Sequence, residues 1–230
     1  GSQYNAFTSQ VYTGYYAKVN PEHLDRALDV VSDMYLNPLL DEKEIIKEKG
    51  VIVEEIRMYQ DLPHRHVQDL FMNLVYGDQP AGWNIAGTEE NVKSFNRNDF
   101  IKYRKEHYVA NATTVIIAGS FEEKTILKKV EKAFSGISLG NKSKKLKVKE
   151  SQSKPEILIK YKETDQAHLV LGVRSFEAKS KNDPALTVLS TILGKGMSSR
   201  LFQKLRDEMG VGYYVRASHE VYTDHGLFTI

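Results

Sequence analysis

Apolar and polar positions follow two periods along this chain, and the switches between them divide it into elements. From Asn5 to Val19, Tyr, Thr, Phe and Val recur at strand spacing, which predicts two strands or a hairpin. Asn20-Pro21 supplies an N-cap and an N1 proline for a helix reaching about Tyr35. Asp41 caps the next helix, which runs to Asp61, with Glu44 as its capping-box partner. A third helix is predicted over Val67 to Val75, followed by a Gly/Pro/Asn-rich loop from Gly77 to Gly87. Asn98 or Asp99 opens a short helix to His107. TTVIIA, Thr113 to Ala118, reads as a buried strand, and Glu122 to Phe134 as an amphipathic helix stopped at Gly136.

The pattern breaks at Gly140 to Lys154, GNKSKKLKVKESQSK, a polar Lys/Ser-rich tract with the character of an interdomain linker. Strand signals resume at Ile157 to Tyr161 and His168 to Val173. A helix starts at Asp183-Pro184 and ends near Gly194, and another runs from Ser198 or Ser199 to Gly210. Strands Tyr213 to Ala217 and Val221 to Ile230 close the chain. The expected organisation is a first domain over 1–139, a linker over 140–154 and a second domain over 155–230. Val11-Tyr12-Thr13 recurs as Val221-Tyr222-Thr223, a faint sign of duplication. Strands followed by helix pairs indicate an α+β fold, with helices packed on mixed or antiparallel sheets.

Composition narrows the function classes. The 230 residues are 41% apolar and 27% charged with a net charge of +2, which excludes a strong electrostatic preference for nucleic acid or anionic membrane. No apolar run approaches the ~20 residues that span a bilayer. With no cysteine there is no disulfide, thiol nucleophile or thiolate ligand, so any metal must use His, Asp and Glu.

The helix Asp41–Asp61 carries the candidate chemistry. With Ile45 as zero at ~100° per residue, Ile52, Ile56 and Tyr59 fall within ~40° of it. Glu48 and Glu55, two turns apart, lie ~60–80° to one side, and Glu54 points nearly the opposite way. A carboxylate at the rim of an apolar stripe can meet a metal or substrate, and a solvated flank fits the same position. Arg206 and Tyr213 alone read as a helix-surface Arg and a half-buried strand Tyr. His64-Arg65-His66 follows Leu62-Pro63 in an expected loop and is not assigned as a ligand pair. The Gly194-Lys195-Gly196 turn lacks the strand and spacing of a phosphate loop.

Three stretches together resemble the pitrilysin/insulinase family of zinc metallopeptidases, especially its mitochondrial-processing-peptidase-like members. These are GSQYNAFTSQVYTGYYAKV, EKGVIVEEI and SSRLFQKLRDEMGVGYYV, with GTEENVKSF and HYVANATTVIIAGSF between them in family order. The resemblance covers essentially the whole chain. It implies a fold of two related domains like those of LuxS and the processing peptidases. It also implies zinc held by an inverted HxxEH motif and a downstream glutamate, here Glu55, with Glu48 as an acidic residue supporting the site. Arg206 and Tyr213 match an Arg/Tyr pair that reaches substrate and reaction centre from the second domain. Asn5, Ala6, Phe7 and Thr8 match an edge strand that pairs with extended substrate.

Two departures qualify this. None of the seven histidines lies in HxxEH, which is expected just before Gly1 together with the two His ligands of one zinc ion. The chain by itself therefore offers one ligand of three and no general base. Val11 stands where many relatives have Glu, at a position that does not bind metal. The resemblance implies an endopeptidase acting on small unstructured peptides enclosed between two halves. The partners implied are a peptide substrate and a second copy or related subunit, with no nucleic acid and no membrane. The alternative is a non-catalytic relative serving as a binding or assembly subunit.

Overall fold

The computed structural model describes residues 2–230; Gly1, the first residue of the motif GSQYNAFTSQVYTGYYAKV, lies outside them. The chain forms two compact units of α+β structure. The first comprises the chain up to Ile56 together with Ile85–Lys145, and the second Arg57–Asn84 together with Leu146–Ile230.

In the first unit, β1 (Gln3–Thr8) and β2 (Thr13–Lys18) form the expected antiparallel hairpin, in register from Gln3↔Lys18 to Thr8↔Thr13. A 3-10 turn at Pro21–His23 leads into α1 (Leu24–Leu36). Asn20 precedes Pro21 as expected but gives no cap, because its amide turns to the Glu22 carboxylate at 3.1 Å. Asp41 caps α2 (Glu42–Asp61) by accepting from the Lys43 and Glu44 amides at 2.9 and 3.2 Å. Glu44 leaves the expected capping box and pairs with Lys47 at 2.6 Å.

The second helix buries Val53 and Ile56 against Val92, with Ile52 and Ala86 alongside. Val92 belongs to α4 (Glu89–Ser94), which begins where the Thr88 hydroxyl accepts from the Asn91 amide. The GTEENVKSF motif thus supplies the plug for the buried side of α2. Lys49 Nζ donates to the Phe95 carbonyl at 2.8 Å, fixing the same face. Next, α5 (Arg97–His107) starts at a full capping box between Asn96 and Asp99, earlier than the expected Asn98 or Asp99. Tyr15, Tyr108 and Phe134 gather around the Tyr35 ring, and Arg104 stacks on Tyr108 at 4.3 Å and donates to the Tyr35 carbonyl. The last helix of this unit, α6 (Glu123–Ala133), is tied to α1 by Lys129–Asp25 at 2.6 Å.

The segment read as a buried strand, Thr113–Ala118, forms no ladder among the described residues, and Ile116 is 80% exposed. Its apolar, branched composition reports a tendency to extend but supplies no neighbouring strand.

In the second unit, α3 (Pro63–Tyr76) begins at Pro63, so His64 and His66 lie on a helix and not in the expected loop. Its Phe71 and Tyr76 pack with Leu227 as the core of this unit. The sheet is antiparallel, with β5 (Gly226–Thr229) central between β3 (Gly172–Ser175) and β4 (Ser218–Val221). The expected strands Ile157–Tyr161 and Tyr213–Ala217 have no ladder partners among the described residues, and the one at 168–173 is paired from Leu171 onward. Val221–Ile230 is a turn and a strand, because Tyr222 N bonds to the His225 carbonyl at 2.9 Å and reverses the chain. The two Val-Tyr-Thr triplets therefore differ in place, one entering β2 and the other leaving β4. Between the strands, α7 (Asp183–Gly194) ends against Ala217, and a Cβ at Gly194 would collide with the Ala217 backbone. The expected helix to Gly210 is a π-helix over Phe202–Glu208, closed by Met209 N to Lys204 O and Val211 N to Leu205 O at 3.0 Å each.

Candidate functional site

The carboxylates of α2 follow from how that helix is buried. Val53 and Ile56 face Val92, so the buried stripe is centred on one side of Ile45–Ile52 and Glu48 and Glu55 stand clear of it. Both are exposed, and neither makes a hydrogen bond or ion pair with another described residue. Val51, 51% exposed, lies ~40° from Glu55 on the side toward Glu54. Glu54 points away, as expected from the wheel.

The described residues contain no three His, Asp or Glu side chains gathered as a metal centre requires. Glu55 fits zinc as a single hard oxygen donor whose lone pairs are uncommitted. By itself it is not a metal centre.

The other expected pair meets in space. The Arg206 guanidinium lies 5.0 Å from the Tyr213 ring centroid and 4.7 Å from that of Phe202. Two features create this clamp. The π-helix brings Phe202 and Arg206, four residues apart, onto one face. Gly210 at φ +62° then allows the reversal that returns Tyr213 over Arg206. Arg206 is half-buried, and no described residue accepts a hydrogen bond from it. Its five donors are oriented by aromatic faces and left available for a carbonyl or carboxylate. Tyr213 is 81% exposed, so its hydroxyl faces solvent.

In β1, Asn5, Ala6, Phe7 and Thr8 are all exposed. The strand pairs only with β2 among the described residues, which leaves its outer edge open. Phe7 packs edge-on to Tyr12 at 5.6 Å, and the Ala6 amide is taken up locally by Asn5 Oδ1 at 2.8 Å. Val11 is 45% exposed in the turn beyond.

Phe202 was not singled out from the sequence, although its i, i+4 spacing from Arg206 is a signal that the two share a helix face.

Other titrating groups have structural roles. Burial is the largest cause of the raised Asp69 pKa, opposed by Arg65, His66 and the hydrogen bond from Asn84. Burial likewise pushes the Tyr76 and Tyr108 hydroxyls well above the usual tyrosine range.

Comparison with known proteins bears on both halves. Residues 1–89 match the model of insulinase (peptidase family M16), and residues 94–230 match that of the peptidase M16 inactive domain. "Uncharacterized zinc protease YmxG" of Bacillus subtilis is 42% identical over the full chain, which covers 56% of that protein. A protease from Helicobacter pylori has the same fold at a TM-score of 0.84 and 23% identity, covering 100% of this chain and 57% of that one. A chain of Complex III2 from Candida albicans matches at a TM-score of 0.82 and 16% identity, with the same coverages. The chain spans about half the length of the relatives it matches. No helix among the described residues is long and apolar enough to cross a membrane.

Proposed function

Since the chain belongs to the M16 insulinase family of peptidases, we propose that the full-length protein is a zinc-dependent endopeptidase for peptides and unfolded polypeptides. Relatives named zinc proteases support this reading. The observation that carries it is Arg206, clamped by two rings and left without a hydrogen-bond acceptor among the described residues. A guanidinium ordered in this way is suited to a substrate carbonyl or carboxylate.

Glu55 is the carboxylate ligand of one zinc ion, and an HxxEH segment of the longer polypeptide supplies the two histidines and the general base. When bound, zinc supplies an activated water and polarises the scissile carbonyl. Glu48 supports that site from the same face of α2. Arg206 holds the substrate backbone, and the Tyr213 hydroxyl donates to the carbonyl oxygen as charge develops there. The open edge of β1, at Asn5–Thr8, pairs with the extended substrate main chain.

A second reading, a non-catalytic assembly subunit that pairs with a second copy or a related chain, is favoured by the likeness to a chain of Complex III2. The deciding experiment measures zinc content and cleavage of an unstructured peptide by the purified full-length protein. Stoichiometric zinc with cleavage supports the peptidase. A folded, metal-free protein without cleavage, even after zinc is added, overturns it in favour of the subunit.

A further inference from the structure

We infer that Phe202 is a positioning residue for Arg206. This rests on the assignment of Arg206 to substrate. The Phe202 ring centroid lies 4.7 Å from the guanidinium, closer than that of Tyr213 at 5.0 Å. Phe202 is half-buried whereas Tyr213 is 81% exposed, so the fixed side of the clamp is Phe202. Tyr213 is the face that can move and whose hydroxyl is committed to the reaction.

The backbone agrees with this: Phe202 and Arg206 are i, i+4 neighbours on one helical segment, a spacing that puts their side chains on the same face. Phe202 also lines a cavity of about 520 Å³, with Met197, Tyr214 and Lys195, and that space leaves room for one added hydroxyl.

That geometry sets the variants. Phe202→Leu keeps an apolar side chain of similar bulk but removes the π face, and Phe202→Tyr keeps the face and places its hydroxyl toward the cavity. In the full-length protein with labelled arginine side chains, the Arg206 Nε–H resonance is expected to carry a ring-current shift and restricted motion. Phe202→Leu reduces both and Phe202→Tyr preserves both. For peptide cleavage, Phe202→Leu lowers kcat about tenfold with KM changed less than about threefold. Melting temperature and zinc content stay at wild-type values, and Phe202→Tyr restores kcat. In an Arg206→Ala background, Phe202→Leu has no further effect.

An unchanged Arg206 resonance in Phe202→Leu overturns the inference whatever the activity. An equal kcat loss in the Arg206→Ala background does so as well. Full activity of Arg206→Ala alone would instead remove the substrate assignment, leaving the resonance to decide the hold of Phe202 on Arg206.

Discussion

The Arg206 guanidinium stacks 5.0 Å from the ring centroid of Tyr213, whose side chain is 81% exposed. The ring and the hydroxyl of Tyr213 thus have separable jobs. Tyr213→Phe keeps the ring over Arg206 and removes the donor. In the full-length protein kcat should fall about 10²-fold with little change in KM. Tyr213→Ala should raise KM as well, because Arg206 loses one wall of its clamp. Equal KM values in the two variants would show that the ring does not position Arg206. Arg206→Ala should lose turnover and retain zinc, which metal analysis of the same preparation checks.

The two adjacent glutamates of α2 make a sharp internal control. Glu55 shares its flank with Glu48, ~20° away around the helix, while Glu54 lies ~100° from Glu55 and ~120° from Glu48. Glu55→Gln should remove most zinc and activity, and Glu54→Gln should leave zinc content unchanged. Glu48→Gln should weaken zinc affinity by about 10–100-fold, the usual size of a supporting interaction. Competition with a chelator of known affinity measures all three.

Gly172 is a packing prediction in the second unit. A Cβ there would collide with the Phe71 ring, which packs with Leu227 at the centre of that core. Gly172→Ala should cost about 1–3 kcal/mol, read by chemical denaturation, because the ring has to leave its place. The same change at Gly50, where a Cβ meets no atom within 4 Å, lies in a helix interior and should stabilise by up to about 1 kcal/mol.

Asp69 predicts a pH dependence. Burial raises its folded pKa above the ordinary 3.8, against the opposing pull of Arg65, His66 and Asn84. Between the unfolded and folded values the native state holds more protons than the unfolded one, so stability falls as pH rises through that window. Asp69→Asn removes the effect, since Asn still accepts from Asn84, now 2.9 Å from Asp69 Oδ2. The variant should be the more stable at neutral pH, and its advantage should shrink as the pH drops below about 4. Melting curves at pH 3.5 and pH 7 test the sign.

Caps and helical periods made the first unit legible. The β1–β2 hairpin, α1, α2 and α6 lie close to where Pro21, Asp41 and Glu122 place them, and α5 starts at the Asn96 cap, ahead of the expected Asn98 or Asp99. The fourth helix was missed because six residues are too few to show a period, although Thr88 carries its cap. Strand positions fared worse, since composition states a tendency to extend and says nothing of partners. Thr113–Ala118 and Ile157–Tyr161 have that composition without ladders among the described residues. Periodicity cannot separate π from α, so the helix type was not legible, although the i, i+4 spacing of Phe202 and Arg206 was. The helical wheel did separate Glu55 from Glu54, because a 100° step depends on nothing beyond the helix itself.

The bare extension of Thr113–Ala118 also governs how this chain behaves in company. Thr-Thr-Val-Ile-Ile-Ala is an uncharged, β-branched window with no proline, and Ile116 is 80% open to water. Such a segment is a template on which a second molecule can add its own copy, hydrogen bond by hydrogen bond, into a growing stack. At high concentration these six residues are one place where such stacking can begin, and a lysine at position 116 would act as a gatekeeper against it.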